Sequence, residues 1–518
     1  MRLLARLALL ALFASTFSLP LAGQVPVQVA DLNTTRYDNG DSYFFRSEFV
    51  EFGGLVYFTA SDVLHGLELW KTDGTEAGTV RLTDLCPGSC DSFPRNLTVV
   101  GGSIYFSADD GAHGFEPWIT DGTTAGTRMI RDTVPGLGGS FPNLLRVLGG
   151  RVFYSASDPD AGSELWVTDG TAGGTGRLVD IQPGPNSSQA IPWQVVGTNL
   201  FFSADDGVHG VELWATDGTA AGTRMVLDIF PGATASLLGF IPLPGLNRFA
   251  ALGSRIFFAA ADATNDYELW ASDGTAAGTT RVADIHPGPD ASVPTYFEVL
   301  GSILLFKAGD GTTGTELWRT DGTEAGTVAV KDIYPGTTGS DPYELTRFGS
   351  ALYFHANDDV HGRELWKSDG TEAGTALVAD IRPGVDSGLQ LFYSPHSLTP
   401  VGSRLLFFAD DGVSGNEVWA TDGTLAGTAQ VADLNPGSAH ADGGSFVGGF
   451  ELRSFPGAAG TSPSTTVPTS KDIISLPPMA PRRGRFESSG WATSAPASRC
   501  PFSAARSIRA PRRPWRIA

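Results

Sequence analysis

The segment ELWKTDGTEAGT at residues 68–79 determines the fold, because near-copies of it recur along the chain. It returns as ELWATDGTAAGT at 212–223 and as ELWRTDGTEAGT at 316–327. Successive copies lie 48, 48, 48, 56, 48, 48 and 53 residues apart. The tryptophans of the eight copies are Trp70, Trp118, Trp166, Trp214, Trp270, Trp318, Trp366 and Trp419. A fixed period of this length indicates a repeat architecture.

Each unit contains four short runs rich in β-branched and aromatic residues. In the fourth unit these runs are 193–196, 200–204, 211–216 and 224–229, and Gly, Asp-Gly or Pro-Gly ends each of them. Such runs predict strands, and Asp-Gly is a strong hairpin signal. Four antiparallel strands in about 48 residues are typical of a propeller blade. We therefore expect an all-β fold, a β-propeller of eight four-stranded blades, with an open solenoid as the alternative.

The two ends of the repeat array suggest how the ring closes. Residues 27–32 (VQVADL) copy the fourth strand of a unit without an ELW segment before them, and residues 446–455 offer a partial partner. A last blade completed by both termini removes an exposed sheet edge. The phase of the strands, and hence which blade is shared, stays open at this point.

The regions outside the repeats divide the chain into three parts. Residues 1–23 combine Arg2 and Arg6 with an apolar run of about 13 residues, which favours a secretory signal peptide over the alternative of a membrane anchor. Residues 24–455 form the propeller, and residues 456–518 form a linker and a basic tail without apolar periodicity. Disorder, binding to an acidic surface and a frame-shifted end are all compatible with this tail. We expect a secreted or cell-surface protein without a membrane span in the mature chain.

The net charge of the chain argues against nucleic acid and anionic membrane as partners. The chain carries a net charge of −21, of which the tail from Lys471 contributes +8, leaving −29 for the rest. A body this acidic is a poor ligand for nucleic acid or anionic membrane. The remaining candidates are a surface protein or a polysaccharide.

The repeated motif resembles that of the bacterial ELWxxDGT-repeat proteins. The likeness covers roughly residues 27–455 and rests on eight copies of the motif. It implies a secreted or surface-located propeller, and it implies no activity and no catalytic residue.

The aspartate of each DGT segment is the first candidate for a site. Asp accepts hydrogen bonds within its own turn and Gly adopts positive φ, which favours a structural role in every blade. The alternative is a ring of carboxylates that binds calcium, and calcium is the one cofactor that the sequence suggests. These aspartates are Asp73, Asp121, Asp169, Asp217, Asp273, Asp321, Asp369 and Asp422.

The other repeated residues have structural and functional interpretations. The eight tryptophans suit packing between blades, with a sugar-binding surface as the alternative. Each ELW segment begins with Glu, and in four copies a His lies three residues earlier, a spacing that allows a metal site on one rim. Cys86 and Cys90 bracket a turn and are candidates for a small disulfide in a secreted protein. The non-repeating stretches 233–251 and 389–400 are candidates for functional loops.

Catalytic signatures are absent from the sequence. It contains no G-x-S-x-G elbow, HExxH, phosphate loop or dinucleotide fingerprint. We therefore expect a non-catalytic protein- or polysaccharide-binding or scaffold module at the cell surface. The alternatives are a hydrolase or lyase acting on polysaccharide and a calcium-stabilised structural surface protein. A cluster of Arg, Tyr, Glu and Asp contributed by different blades at one end of the central channel would favour an enzyme.

Overall fold

The computed structural model describes residues 49–62, 64–237, 247–264, 266–389 and 398–432. All of them belong to the first of two units, residues 1–475 and 476–518. The predicted signal peptide, the strand at 27–32, the segment 446–455 and the basic tail lie outside the described residues, as do 238–246 and 390–397 within the two candidate loops.

The described residues form 32 strands and no α-helix. The strands of the first four sheets are β1 Val50–Phe52, β2 Leu55–Asp62, β3 Gly66–Thr72, β4 Val80–Arg81, β5 Arg95–Val100, β6 Ser103–Asp109, β7 Phe115–Thr120, β8 Arg128–Met129, β9 Asn143–Leu148, β10 Arg151–Asp158, β11 Gly162–Thr168, β12 Gly176–Arg177, β13 Ile191–Val196, β14 Asn199–Asp205, β15 Val211–Thr216 and β16 Arg224–Leu227. The strands of the last four are β17 Phe249–Leu252, β18 Arg255–Ala261, β19 Tyr267–Ser272, β20 Thr280–Ala283, β21 Thr295–Leu300, β22 Ile303–Gly309, β23 Thr315–Thr320, β24 Val328–Lys331, β25 Tyr343–Phe348, β26 Ala351–Asn357, β27 Arg363–Ser368, β28 Ala376–Ala379, β29 Thr399–Val401, β30 Arg404–Asp410, β31 Asn416–Thr421 and β32 Ala429–Ala432.

Eight four-stranded antiparallel sheets surround an axis, which confirms the predicted eight-bladed β-propeller. Each sheet is a meander of four consecutive strands. The first strands of successive blades contact one another from β1 to β25, so they form the innermost layer. Among the described residues, no helix is long and apolar enough to cross a bilayer.

The structure fixes the phase of the strands. Every blade begins at the strand before the first tight turn and ends in the short fourth strand. The ELW segment lies in the third strand, as EPW in the second blade and EVW in the eighth. The last blade already has a fourth strand of its own, β32. The eight described sheets each have four strands without those segments, and closure by both termini, which involves residues outside the described ranges, stays a prediction.

Aromatic pairs give each blade its core. The ELW tryptophan pairs across the second and third strands with an aromatic residue, for example Phe106 with Trp118 and Tyr154 with Trp166. Its indole then packs against the blade before it: Trp318 joins Phe257 and Leu269 of the preceding blade in one buried cluster. Alternating buried positions thus hold neighbouring blades together.

The glutamate of the ELW motif organises the connection to the next blade. Its side chain is fully buried in all eight copies. The carboxylate of Glu212 accepts hydrogen bonds from the amide nitrogens of Ile229 and Ser236, both at 3.1 Å, and from the Ser236 hydroxyl at 2.5 Å. Glutamates in six other blades accept the corresponding bonds from residues 17, 18 or 24 positions later. One carboxylate therefore ties the fourth strand to the segment that enters the next blade.

Burial perturbs the titration of these glutamates. Removal from water raises the pKa of Glu68, Glu212 and Glu364 to about 7, although the amide and hydroxyl donors act in the opposite direction. The pKa values of Glu116, Glu164, Glu268 and Glu316 are raised for the same reason. A raised pKa in the folded state gives stability that is complete below about pH 4.5 and is lost as the pH rises toward 7.

We therefore expect the free energy of unfolding to fall between about pH 4.5 and pH 7. Glu212→Gln cannot titrate and loses one acceptor oxygen, so its free energy of unfolding should be lower than that of the native protein at both pH 5 and pH 8. The change in its free energy of unfolding between these two pH values should be smaller than in the native protein, by roughly 1–3 kcal/mol. Urea unfolding at pH 5 and pH 8 measures both effects. The exposed Glu324→Gln is the control, and equal pH dependence in Glu212→Gln and the native protein would contradict the assignment.

Candidate functional site

The DGT aspartates lie in a self-contained turn. In all eight copies the carboxylate accepts the amide of the threonine two residues later at 2.8–2.9 Å and its hydroxyl at 2.6–2.7 Å. These bonds lower the pKa of each aspartate, the threonine hydroxyl being the largest cause. The carboxylates are thus engaged by their own turns, each within its own blade.

The glycine of the DGT turn connects neighbouring blades. At seven successive seams a Lys or Arg of one blade donates to the glycine carbonyl of the next at 2.7–3.0 Å. Lys71 bonds Gly122 in this way, and Arg224 bonds Gly274. The turn therefore supplies an acceptor to the neighbouring blade as well as reversing the chain.

The tryptophans lie inside the propeller rather than on a presented surface. Five of the eight are 4–9% exposed. The indole nitrogens of Trp70, Trp118 and Trp214 donate to backbone carbonyls ten residues earlier. These positions suit packing better than contact with a sugar ring.

The histidines before the ELW segment are also held locally. The Nδ1 atoms of His113, His209 and His361 each lie 2.7 Å from the carboxylate of an aspartate three residues earlier, and that of His65 lies 2.8 Å away. This pairing raises the pKa of His113, His209 and His361. The side chains stabilise the turn between the second and third strands, each pairing with an aspartate of its own blade.

One group of carboxylates in the described residues has the spacing of a metal site. Oxygen atoms of Asp266, Glu268 and Asp284 lie within 4.8 Å of one another. However, the guanidinium of Arg281 lies 3.5 Å from Asp266 and 3.6 Å from Asp284, so a cation of the protein already faces this group. Calcium binding at the DGT ring stays a prediction.

Cys86 and Cys90 are joined by a disulfide in the structure. The buried Cys86 follows Leu85, and both amides donate to the carboxylate of Glu68. The disulfide therefore lies at the connection from the first blade to the second.

The residues that depart from the repeat gather at one end of three adjacent blades. Tyr296 and Lys307 come from the sixth blade, and Asp341, Tyr343, Glu344, His355 and Arg363 precede or belong to the seventh. Arg248 comes from the start of the fifth blade. We call these eight residues the tyrosine–arginine cluster. They lie where the first strand begins, the second ends and the third begins, because Tyr343 pairs with His355 and Thr295 pairs with Lys307.

Ion pairs and aromatic contacts connect the cluster across the two blades. Asp341 binds the Lys307 ammonium and, at 3.1 Å, the Arg363 guanidinium. The rings of Tyr296 and Tyr343 lie 5.2 Å apart, and Lys307 lies 5.6 Å from the Tyr296 ring centre. Burial and the neighbouring Tyr343 raise the pKa of Tyr296, so its hydroxyl keeps its proton and serves as a hydrogen-bond donor.

A buried histidine packs near the tyrosine pair. His355 is 3% exposed, its ring centre lies 6.4 Å from that of Tyr343, and its Nε2 lies 3.8 Å from the buried Glu344 carboxylate. Burial, with Arg363 adding to it, lowers the pKa of His355 to about 3. The imidazole is therefore neutral at physiological pH and positions Tyr343 without adding charge.

Arg248 is the cation of the cluster that lacks a carboxylate partner among the described residues. Asn247 beside it accepts the amide of Phe297 at 3.0 Å, which places the start of the fifth blade against the sixth. Tyr267 and Tyr296 are close enough to affect the titration of Arg248. Its Nε is buried and has no hydrogen-bond partner in the described part of the chain. A buried donor without an acceptor costs free energy, so this nitrogen of the half-buried Arg248 calls for an explanation.

Most of this cluster was not predicted from the sequence. Arg248 does lie in the stretch 233–251, a candidate for a functional loop whose alternative is a neutral insertion. The other signal is a segment that precedes the first strand: SFPRN at 92–96, SFPNL at 140–144, SVPTY at 292–296 and SDPYE at 340–344. Its serine and proline recur, whereas the remaining positions change from blade to blade. A comparison of those changing positions across the blades predicts that Tyr296, Asp341, Tyr343 and Glu344 lie on one rim of the propeller.

Comparisons with known proteins find only distant structural similarity. No family model matches the chain, and no curated protein matches it. Solved structures that resemble it include a puromycin hydrolase (15% identity, TM-score 0.34), a puromycin-hydrolyzing peptidase of Mycobacterium tuberculosis (13%, 0.35) and a structure from a study of two prolyl endopeptidases (11%, 0.36). The alignments cover 72%, 70% and 73% of this chain. The chain spans 58%, 58% and 54% of those longer proteins.

The expectation of a non-catalytic binding or scaffold module is corrected on this finding, because the resembling structures are enzymes that carry propellers. At this level of similarity the comparison gives the chain no activity of its own.

The ion pairs of the cluster predict a stability effect. Asp341→Ala leaves Lys307 and the 8%-exposed Arg363 without their shared carboxylate, and we expect it to lower the free energy of unfolding by about 1–3 kcal/mol. The matched control is Asp386→Ala, since Asp386 is 73% exposed and pairs with Arg382 at 3.5 Å. Loss of that surface pair should cost less than about 1 kcal/mol in urea unfolding. Equal losses for the two variants would contradict the proposed importance of Asp341.

Proposed function

We propose that the protein recognises a ligand with a carboxylate group at the tyrosine–arginine cluster. The observation that carries this proposal is the guanidinium of Arg248, whose buried Nε lacks a partner among the described residues beside Tyr296. Arginine presents donors in a planar fork that matches a carboxylate. A carboxylate at the accessible edge of this half-buried side chain neutralises the charge of Arg248.

The charges around the cluster favour an acidic ligand over a basic one. Three cations converge on the cluster, and two of them, Lys307 and Arg363, share the single negative charge of Asp341. The rest of the chain apart from the tail is strongly acidic, so anions are repelled elsewhere. A local site with an unbalanced cation is therefore selective for a ligand whose acidic group fits it.

The tyrosines supply the remaining polar contacts. The raised pKa of Tyr296 keeps its hydroxyl protonated, and the neutral His355 lies beside the ring of Tyr343. Their half-buried rings also offer flat surfaces to a carbon skeleton. Recognition of this kind is the binding step that any reaction at the cluster requires.

Membership of the ELWxxDGT-repeat proteins and export through the N-terminal segment are also part of the proposal. The eight-fold motif supports the first, and the basic and apolar composition of residues 1–23 supports the second. A ligand outside the cell, such as a component of a surface protein or polysaccharide, follows from this location.

The test compares carboxylates with their neutral amides. Acetate, butyrate and hexanoate should raise the midpoint of thermal unfolding, whereas acetamide, butyramide and hexanamide should not, because the amides carry no charge for Arg248. A ligand present at 100 times its dissociation constant adds about 2.7 kcal/mol to the free energy of unfolding. Arg248→Gln should weaken carboxylate binding about tenfold or more, the loss of one charge-assisted hydrogen bond.

The matched control is Arg177→Gln, which removes an arginine that pairs with Asp158 on the third blade. We expect this variant to bind carboxylates as the native protein does. Equal shifts for acids and amides, or unchanged binding by Arg248→Gln, would overturn the proposal.

A further inference from the structure

We propose that the eighth blade has two interchangeable fourth strands, and that the N-terminal one closes the ring. One of them is β32, and we call residues 429–435, which contain it, the C-terminal copy. Residues 27–33 are the N-terminal copy, which takes the place of β32 beside β31. Closure of the ring is separate from recognition of a ligand, so this exchange goes beyond the proposed function.

The two copies have almost the same sequence. Residues 28–33 and residues 430–435 both read QVADLN, and this hexapeptide occurs nowhere else in the chain. The residue before it is Val27 in one copy and Ala429 in the other. The fourth strands of other blades differ, as in RVADIH at 281–286. Because equal side chains make equal contacts, the two copies fit the same partner strand in the same register.

Strand β31 accepts one fourth strand at a time. Its other edge pairs with β30, so a single edge is left for a fourth strand. On that edge Ala420 pairs with Ala429, and the antiparallel register continues to Ala432. The sequence match places Val27 opposite Ala420. Entry of the N-terminal copy therefore requires the release of β32.

The chain between the N-terminal copy and the first blade has the length of a blade connection. Connections from a fourth strand to the next first strand range from 11 residues, at 284–294, to 21 residues, at 228–248. Residues 31–49, which lead from the N-terminal copy to β1, number 19, as do residues 380–398 between β28 and β29. Among the described residues no strand follows the C-terminal copy. The N-terminal copy therefore gives the seam between the eighth and first blades the chain connection that the other seven seams have.

With β32 in place, the eighth blade is less well covered on its side toward this seam than the other blades are. Val431 is half-buried, whereas Val282 is buried at the same position of the fifth blade. Leu406 is also half-buried. The residues at its position in the other seven blades are all buried, namely Tyr57, Tyr105, Phe153, Phe201, Phe257, Leu305 and Tyr353.

A connection that continues into the next blade is what covers this position elsewhere. Ile285, in the connection 284–294, lies in one buried cluster with Trp318 of the sixth blade. Leu32 of the N-terminal copy corresponds to Ile285, and Trp70 corresponds to Trp318. The described members of the cluster around Trp70 all belong to the first blade. Leu32 completes this cluster from a chain that runs on into the first blade.

The balance between the two copies depends on how each is tethered, since their contacts with β31 are equal. The C-terminal copy is tethered to β31 by residues 422–428, and the N-terminal copy is tethered to β1 by residues 31–49. For flexible tethers the difference in length favours β32 by only about fivefold. Improved cover of Leu406 and Val431 outweighs a factor of this size.

The N-terminal copy comes from the same molecule rather than from a second one. A short tether holds a strand at a local concentration in the millimolar range, which exceeds the concentration of free protein in solution. The length of residues 31–49 also lies within the range that the other seams use. We therefore expect monomers, and exchange between molecules is an outcome that the test distinguishes.

The first test traps the N-terminal copy on β31 in the full chain. Val27→Cys with Ala420→Cys, in a Cys500→Ser background, should form a disulfide within the monomer under mild oxidation, as detected by peptide mass spectrometry. Val25→Cys with Ala420→Cys is the matched control, because it lies two residues out of register. We expect the control to form the bond about tenfold more slowly, since the two Cα atoms of a disulfide lie within about 7 Å. Equal rates for the two pairs, or crosslinked dimers alone, would overturn the proposal.

The second test uses the redundancy of the two copies. Val29→Asp or Val431→Asp alone leaves one copy intact, so each should change the midpoint of urea unfolding little. The double variant should lower the midpoint by about twice the sum of the single shifts or more. Val282→Asp is the matched control, because that position has no second copy: it should lower the midpoint by itself, and adding Val29→Asp should be additive. Additive shifts for Val29→Asp and Val431→Asp would contradict the exchange.

Discussion

In the first seven blades the buried glutamate of the ELW segment joins one blade of the propeller to the next. One carboxylate collects amide and hydroxyl donors from the connection that leads to the next blade, for example Ile229 and Ser236 on Glu212. A buried carboxylate is costly without such donors, and the donors would be unsatisfied without it. The fourth strand, the connection and the next first strand are thereby set in one geometry in blade after blade.

This constraint leaves particular positions free to change. The residue after the buried serine is held in the left-handed region by the surrounding backbone, yet its side chain lies at the rim and takes no part in the blade core. Phe141 and Asp341 occupy this position in different blades with opposite chemical character. Repetition therefore supplies the scaffold, and departures from repetition supply the chemistry of the rim.

The tyrosine–arginine cluster shows how an acidic protein builds a cationic site. Lys307 and Arg363 share Asp341, and the tyrosine pair lies over the neutral His355, so much of the cluster is internally balanced. Arg248 enters from the neighbouring blade through a stretch that interrupts the repeat. The site thus requires three blades, and its polar balance differs from that of the DGT turns, whose aspartates bond within their own threonine turns.

The all-β class, the number of blades and the locality of the DGT turns could be predicted from the amino-acid sequence. Those features depend on residues close together in the chain, such as the hairpin signal of Asp217-Gly218. The strand phase, the role of Glu212 and the meeting of Arg248 with Tyr296 became visible in the folded chain alone. Those contacts join residues 17 to 48 positions apart, and the register between strands and the adjacency of blades, rather than local propensity, bring them together.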